Sequence, residues 1–428
     1  MPFLMSAPPD HPRDPFALNA IIALAFAALA FVRIGIPSEP YFDELHYLPA
    51  ARAVLDLGFA TNLEHPPLGK QLIALGIWLF GDTPPGWRLP SIVFGTVALF
   101  AAMRAAWFSS QTRAASLLTG LFVGTNFLLF VHSRIAMLDI FMVSFLMVAL
   151  WMFAGAVREN ETGRWRLVLC GVALGCAMAS KWNAIPIAIL PGLAFFAARW
   201  KAERRRLILS TRGWPVAGIS LWEAAIWLGA LPLAVYALTF WPFLFWSVPQ
   251  GNPTGLVDLH QNMLALQTQV PESHPYQSVW WQWIGNSRAI WYLYEEVDNA
   301  HRGVMLIGNP VTMWFGLLAM AWCAWAGWRQ KRKDMLALVL LYLASLALWV
   351  VAPKAVQFYF HYFLPGMFVS GALALGVERL WQRGERLVPW ALSLGALAFF
   401  LYWFPILTAA PLDDPQDFLR WAWIEGWR

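Results

Sequence analysis

Residues 137–157 read MLDIFMVSFLMVALWMFAGAV, an unbroken apolar run whose one charge is Asp139. A bilayer core takes about 20 apolar residues at the helical rise. A soluble helix of that length would show a polar face, and this one shows none. The run therefore decides the fold class, an all-α polytopic membrane protein. Working outward, further runs of the same kind lie at 17–37, 89–108, 114–131, 167–180, 183–200, 219–241, 309–328, 335–351, 361–378 and 387–410. With 137–157 they predict about eleven transmembrane helices. Lys181, Trp182 and Asn183 interrupt the pair at 167–200, and Pro186 and Pro191 follow. The first run lacks a small-residue cleavage pattern and is read as a helix rather than a signal peptide.

Composition agrees. Charged residues make up 13% of the 428, hydrophobic residues 59%, and the mean hydropathy is +0.53. An ordinary globular chain carries about 25% charged residues. A soluble enzyme, a nucleic-acid module and a disordered protein are excluded. Cys170, Cys176 and Cys323 all sit in apolar stretches and form neither a CxxC pair nor a disulfide framework. The 27 Trp suit a membrane interface or a sugar-binding surface.

The positive-inside rule orients the chain. With the N-terminus in the cytoplasm, the inner segments hold Arg13, Arg104, Arg113, Arg158, Arg164, Arg166, Arg199, Lys201, Arg204, Arg205, Arg206, Arg212, Arg329, Lys331, Arg332, Lys333, Arg379, Arg383 and Arg386. That is most of the 30 Lys and Arg. The outer cations are spread thinly. The expected arrangement is N-terminus inside, C-terminus outside, with two long outer segments at 38–88 and 242–308.

The outer end collects the unusual polar residues. Segment 38–88 opens with Tyr41-Phe42-Asp43-Glu44-Leu45-His46-Tyr47. Leu45, Leu48, Arg52 and Leu55 recur at helical spacing, which predicts an interfacial helix over 44–57. Asp43 stands where an N-cap would. A cap needs neither Glu44 nor His46 beside it, whereas paired carboxylates at a membrane surface suit a general base acting on a hydroxyl. His65-Pro66-Pro67-Leu68-Gly69-Lys70 starts a second apolar helix that runs to Phe80. Lys70 falls in its first turn, where the helix dipole disfavours a cation and an anion would relieve it. Arg88 precedes the next span and serves equally as an interfacial anchor. Arg134 precedes the run first quoted and Asp139 lies inside it; an ionisable group inside a span is costly and marks a functional or pairing site. Arg33 is its expected partner. Lys181 breaks a third span. Segment 242–308 carries Ser273-His274-Pro275-Tyr276 and Trp280-Trp281-Gln282-Trp283, and Lys354 precedes Phe358-Tyr359-Phe360-His361.

Cations beside carboxylates at headgroup level suit transfer of a group from a lipid phosphate. Asp43, Glu44, His46 and His65 could instead ligate a divalent ion, but their spacing matches no metal motif and no metal is expected. A transporter of lipid-linked sugar would show internal repeats and ionisable groups near the midplane. Neither feature stands out.

Several motifs carry a resemblance: FDELHY at 42–47, HPPLGK at 65–70, RLPSIVFG at 88–95, SRIAMLD at 133–139, SKW at 180–182, SHPYQSVWWQW at 273–283, IGNP at 307–310 and FYFHYFLP at 358–365. In order and content they are similar to the protein O-mannosyltransferases, GT-C membrane glycosyltransferases of family 39. The resemblance implies a single GT-C domain over 1–428. It implies a polyprenyl- or dolichyl-phosphate-mannose donor, a Ser or Thr acceptor on an exported polypeptide, and an inverting single displacement. By match to the family motif, Asp43 would be the base and Glu44 would help hold the acceptor. Arg33 and Arg88 match family arginines that matter for activity. With Lys70, Lys354 and His361 they are the expected donor-phosphate residues; His65, Arg134, Asp139, Lys181 and His274 are further site candidates. No cofactor and no nucleic-acid partner is expected. Segment 242–308 is too short for the β-trefoil MIR domain of eukaryotic members, so the chain looks like a bacterial form of the inner membrane with a periplasmic site. GT-C enzymes of the aminoarabinose-transferase type act on lipid A or glycolipids with the same layout, so a lipid acceptor stays open.

Overall fold

The computed structural model describes residues 13–57, 61–202, 206–245, 255–269, 272–352 and 354–428. Arg204 and Arg205 lie outside the described residues, as does part of segment 242–308. In chain order the helices are α1 (Phe16–Phe31), α2 (Glu44–Asp56), α3 (Leu68–Phe80), α4 (Pro84–Ser110), α5 (Arg113–Gly124), α6 (Phe127–His132), α7 (Leu138–Arg158), α8 (Gly163–Ser180), α9 (Ile185–Ala188), α10 (Leu190–Ala202), α11 (Leu221–Ala225), α12 (Leu231–Leu238), α13 (Leu256–Thr268), α14 (Trp280–Ile284), α15 (Pro310–Arg329), α16 (Lys333–Val351), α17 (Phe363–Gln382) and α18 (Leu387–Leu407). Each expected span overlaps helix, but 114–131 is divided between α5 and α6, 183–200 between α9 and α10 and 219–241 between α11 and α12, and the first helix stops at Phe31 rather than 37. Among the described residues eight helical stretches are long and apolar enough to cross a bilayer. Helices α1 and α5 are apolar but shorter, and α5 resumes as α6 after Asn126 caps the new helix through Leu128 N–H. The break expected at Lys181 is present: α8 ends there and a turn at Trp182–Ala184 leads into α9.

Large apolar side chains such as Leu318, Trp328 and Leu394 remain exposed on these helices, as lipid contact requires. Between helices, packing is tightened by small residues and buried amides. A Cβ added at Gly316 of α15 would lie 2.4 Å from Val369 of α17. Asn19 of α1 donates to Ser116 of α5 at 3.0 Å, and Asn126 donates to Ser370 of α17 at 2.9 Å. Asn309 bonds the carbonyls of Thr125 and Ala396. Buried amides of this kind fix which helices are neighbours.

Segment 38–88 holds the two interfacial helices, with one change of face. The side of α2 turned inward carries Glu44, Tyr47, Leu48 and Ala51, while Leu45 and Leu55 are exposed. The predicted Leu stripe is therefore divided between protein and the opposite side. Segment 242–308 adds elements that helical periodicity does not reveal. Strands β1 (Ile290–Val297) and β2 (Ala300–Leu306) form an antiparallel hairpin, joined at Asp298-Asn299 with both φ positive, and β3 (Pro411–Leu412) pairs with β2. Ser38 bonds the Asp298 carboxylate through N–H (2.9 Å) and Oγ (2.5 Å), tying the hairpin tip to the first outer segment. The C-terminal tail closes the other side: Trp427 Nε1 donates to Asn286 O at 2.8 Å, and Trp291 Nε1 to Trp427 O at 3.0 Å.

Candidate active site

The ends of α1, α8, α16 and α18 and the starts of α4, α7, α15 and α17 meet beside α2, α3 and the hairpin. This is the end that carries Asp43. Phe42 adopts φ 52, a strained value for a bulky residue, and is held there by a face-to-face stack on Tyr292 with centroids 3.9 Å apart. The turn it makes presents Asp43. Asp43 precedes α2 but its side chain makes no capping bond, so the N-cap role is not realised. The carboxylate lies beside the Tyr47 phenol and within electrostatic range of Lys181, Asp139, His46 and Lys354. Burial, with Asp139 adding to it, pushes the Asp43 carboxyl above the usual aspartate range, and Lys181 only partly offsets this. The adjacent Glu44 is not among the causes.

Glu44 is instead fully buried in a two-pronged pair with Arg88: Nε to Oε1 and Nη2 to Oε2, both at 2.8 Å. It also accepts from the backbone N–H of Ala136 (3.0 Å) and Tyr41 (3.3 Å). Arg88 spends its remaining donors on the carbonyls of Ile34, Pro37 and Glu39. A guanidinium has five N–H donors, and all five are used. The expected phosphate contact of Arg88 and acceptor contact of Glu44 do not fit this geometry. The pair is a strut joining α1, α2, α4 and the α6–α7 turn, and it fixes the backbone that carries Asp43.

Asp139 is paired with Lys181 (2.7 Å, both buried) rather than with Arg33. Arg33 is exposed and donates to Thr408 at 2.8 Å. Arg134 is buried against the end of α1, donating to the carbonyls of Ala30, Val32 (2.6 Å) and Arg33. Both arginines belong to the α1 end and are not among the groups acting on Asp43. Lys70, buried, donates to the carbonyls of Asn62 (2.6 Å) and His65 (2.8 Å), and the Glu64 carboxylate acts on it, so the turn's own groups relieve its place at the helix start. Burial pushes its ammonium down to about 7. His65 is held well below the usual imidazole range by burial and by Lys181, Lys70 and Lys354, and is neutral.

Lys354 differs from the other cations. Its ammonium makes no hydrogen bond among the described residues, and burial and Lys181 hold its pKa down, with Asp43 and Asp139 opposing. Beside it, His361 uses Nδ1 on the Phe358 backbone (2.9 Å) and packs on Trp349 with centroids 3.8 Å apart. Its Nε2 is buried and unpartnered among the described residues. His361 and Asp139 line one small cavity with Asn183, Ser345 and Trp349. His274 is exposed, edge-on to Phe358, and the following Ser278 N–H bonds Gln357 O at 2.8 Å. Of the predicted residues, Asp43, His65, Asp139, Lys181, Lys354 and His361 thus converge. Glu44 and Arg88 brace them, and Arg33 and Arg134 stand aside. Among the described residues no three His, Cys, Asp or Glu side chains form a metal-binding group; Glu44 is taken by Arg88 and His46 is exposed. Tyr47 and Tyr292 were not read from the sequence. Tyr292, on β1, also donates to His132 Nε2 at 3.1 Å, His132 Nδ1 being bonded to Leu128 O. The Val-Asp-Asn-Ala turn after the aromatic run Trp291-Tyr292-Leu293-Tyr294 is the signal that finds its strand.

Family models described as dolichyl-phosphate-mannose-protein mannosyltransferase match residues 20–92 and 64–229. A model of the C-terminal four-helix region of protein-O-mannosyltransferase matches 254–427. The chain belongs to the protein O-mannosyltransferase family. Among its relatives is the polyprenol-phosphate-mannose--protein mannosyltransferase of Mycolicibacterium smegmatis, 28% identical over 500 residues, covering 98% of this chain and 95% of that protein. The enzyme of the same name from Corynebacterium glutamicum is 27% identical over 454 residues, covering 90% and 86%. Solved structures agree on the GT-C fold. The Saccharomyces cerevisiae Pmt1-Pmt2 complex bound to the sugar donor superposes with TM-score 0.79 at 14% identity, over 97% of this chain and 93% of that one. ArnT from Cupriavidus metallidurans bound to undecaprenyl phosphate gives 0.61 at 15% identity, over 96% and 69%. This protein O-mannosyltransferase relative is a glycosyltransferase and a polytopic membrane protein.

Proposed function

We propose that the protein transfers mannose from a polyprenyl phosphate to Ser or Thr hydroxyls of exported polypeptides, on the outer face of a bacterial inner membrane. The observation that carries this reading is the cluster of Asp43, Asp139, Lys181, Lys354 and His361 at one end of the membrane helices, in a chain of this family. Asp43 takes the proton of the acceptor hydroxyl. The acceptor oxygen forms a bond to the anomeric carbon as the bond from that carbon to the phosphate oxygen breaks, which inverts the configuration. Negative charge grows on the leaving lipid phosphate, and Lys354, whose ammonium has no hydrogen-bond acceptor among the described residues, receives it. Lys181 keeps Asp139 neutralised and steadies the electrostatics around Asp43. No metal or other cofactor takes part. The basic residues at the opposite helix ends support an N-terminus inside and a C-terminus outside.

Exported proteins from a strain lacking the gene test the acceptor. Loss of protein-linked mannose is expected; intact protein mannosylation with altered lipid A or glycolipid would replace the protein acceptor by a lipid. A reporter active only outside the cytoplasm should work when fused after Arg428 and fail when fused between Arg206 and Arg212, and the reverse pattern would refute the orientation.

Lys354→Ala should raise the KM for the lipid donor and slow transfer, with a normal melting temperature. A lost charge-assisted hydrogen bond is worth about 1.5–3 kcal/mol, roughly 10- to 150-fold. Unchanged donor kinetics would remove Lys354 from the phosphate site. The pH profile reports on Asp43. Its carboxylate is the active form and its pKa is raised above 3.8, so transfer should fall as the pH drops through a midpoint above that value. Asp139→Asn removes a like charge and frees Lys181, so it should move this acid limb to lower pH; an unmoved limb would assign it to another group.

A further inference from the structure

A groove of about 280 Å³ lies between α15, α17 and α18, toward the end opposite Asp43. Leu318, Trp322, Leu373 and Val388 are among its walls, and Arg379 and Arg383 line its charged end. An apolar cavity of about 150 Å³ already accepts a benzene-sized solute, so this one has room for a stretch of hydrocarbon chain. Leu318 is 68% exposed, so the groove opens sideways from the helix bundle, where lipid lies. Its cations are underused. Arg379 makes one long bond, to Gln382 at 3.3 Å, and the Arg383 guanidinium has no acceptor among the described residues. Arg386, just beyond α17, lies over the Trp381 ring. Two carboxylates are close in sequence. Glu378 is buried, bonded by Gln382 and Thr112 and within electrostatic range of Arg332 and Arg379, and Glu385 is exposed without an ion pair among the described residues.

We propose that this groove is a binding site for an anionic glycerophospholipid, separate from the catalytic site. One acyl chain lies along the apolar walls and the phosphate sits on Arg379 and Arg383, whose planar forks match its oxygens. Basic pockets between membrane helices on the cytoplasmic side recruit anionic headgroups in this way. The site cannot serve the reaction directly, because Asp43 and Lys354 lie at the other end of the helices. Lipid binding is independent of the orientation and of the transfer chemistry, so its test stands apart from theirs.

The experiment is native mass spectrometry of purified, delipidated full-length protein titrated with phosphatidylglycerol or with phosphatidylcholine of the same chains. Phosphatidylglycerol should bind about 30-fold more tightly, the effect of two arginines near the headgroup. Arg379→Ala/Arg383→Ala should erase that preference, and Leu318→Trp, which fills the groove wall, should weaken both lipids. Equal binding of the two lipids by the wild type, or a preference that survives in the double variant, would overturn the proposal.

Discussion

Asp43→Asn is expected to abolish detectable transfer while the protein still inserts, melts normally and binds donor lipid. Loss of a general base costs about 10²–10⁴ in rate. The substitution keeps the side chain's size. Because Asp43 makes no capping bond, little stability should go with the charge. Single-turnover transfer by the purified variant, with donor binding and melting temperature measured alongside, checks this. Near-normal transfer would take Asp43 out of the chemistry and pass the base role to Asp139, the other carboxylate of the cluster.

The second large effect is on folding. Glu44→Gln or Arg88→Leu leaves a fully buried charge without its partner, at a cost of about 3–5 kcal/mol. Either variant should melt well below wild type and lose activity with it, because the Tyr41–Glu44 turn that presents Asp43 hangs from this pair. Replacing both at once, as in Glu44→Gln/Arg88→Met, removes both charges and should recover part of the lost stability. The alternative for Arg88, contact with the donor phosphate, makes the opposite prediction: a raised donor KM in a protein of unchanged melting temperature.

The membrane helices could be read because twenty-odd apolar residues in a row allow little else, and even the break at Lys181 shows as charge, Trp and Pro in sequence. The cluster of polar residues at one end was legible through the loop charges. What each member does there was less so. Arg88, Lys70 and Lys354 are alike in sequence, each a cation next to an apolar helix. They differ in the groups that surround them: Arg88 is taken up by the distant Pro37 and Glu44, and Lys70 by the carbonyls of its own turn at Asn62 and His65. The Arg33–Asp139 pair failed for the same reason. Arg33 turns to Thr408 and Asp139 to Lys181, contacts between distant segments that spacing does not encode. The hairpin at 290–306 was missed because the aromatic runs around it suit an interfacial belt as well as a strand.

Reconstituted transfer tests the account most directly. Purified protein is given polyprenyl-phosphate mannose and an equimolar mixture of a Ser/Thr peptide and a lipid acceptor, with EDTA present, and the products are identified by mass spectrometry and linkage analysis. The account predicts mannose on the peptide hydroxyl, in the anomeric configuration opposite to that of the donor. Mannose on the lipid alone, retained configuration, or transfer that EDTA stops and a single metal restores would contradict it.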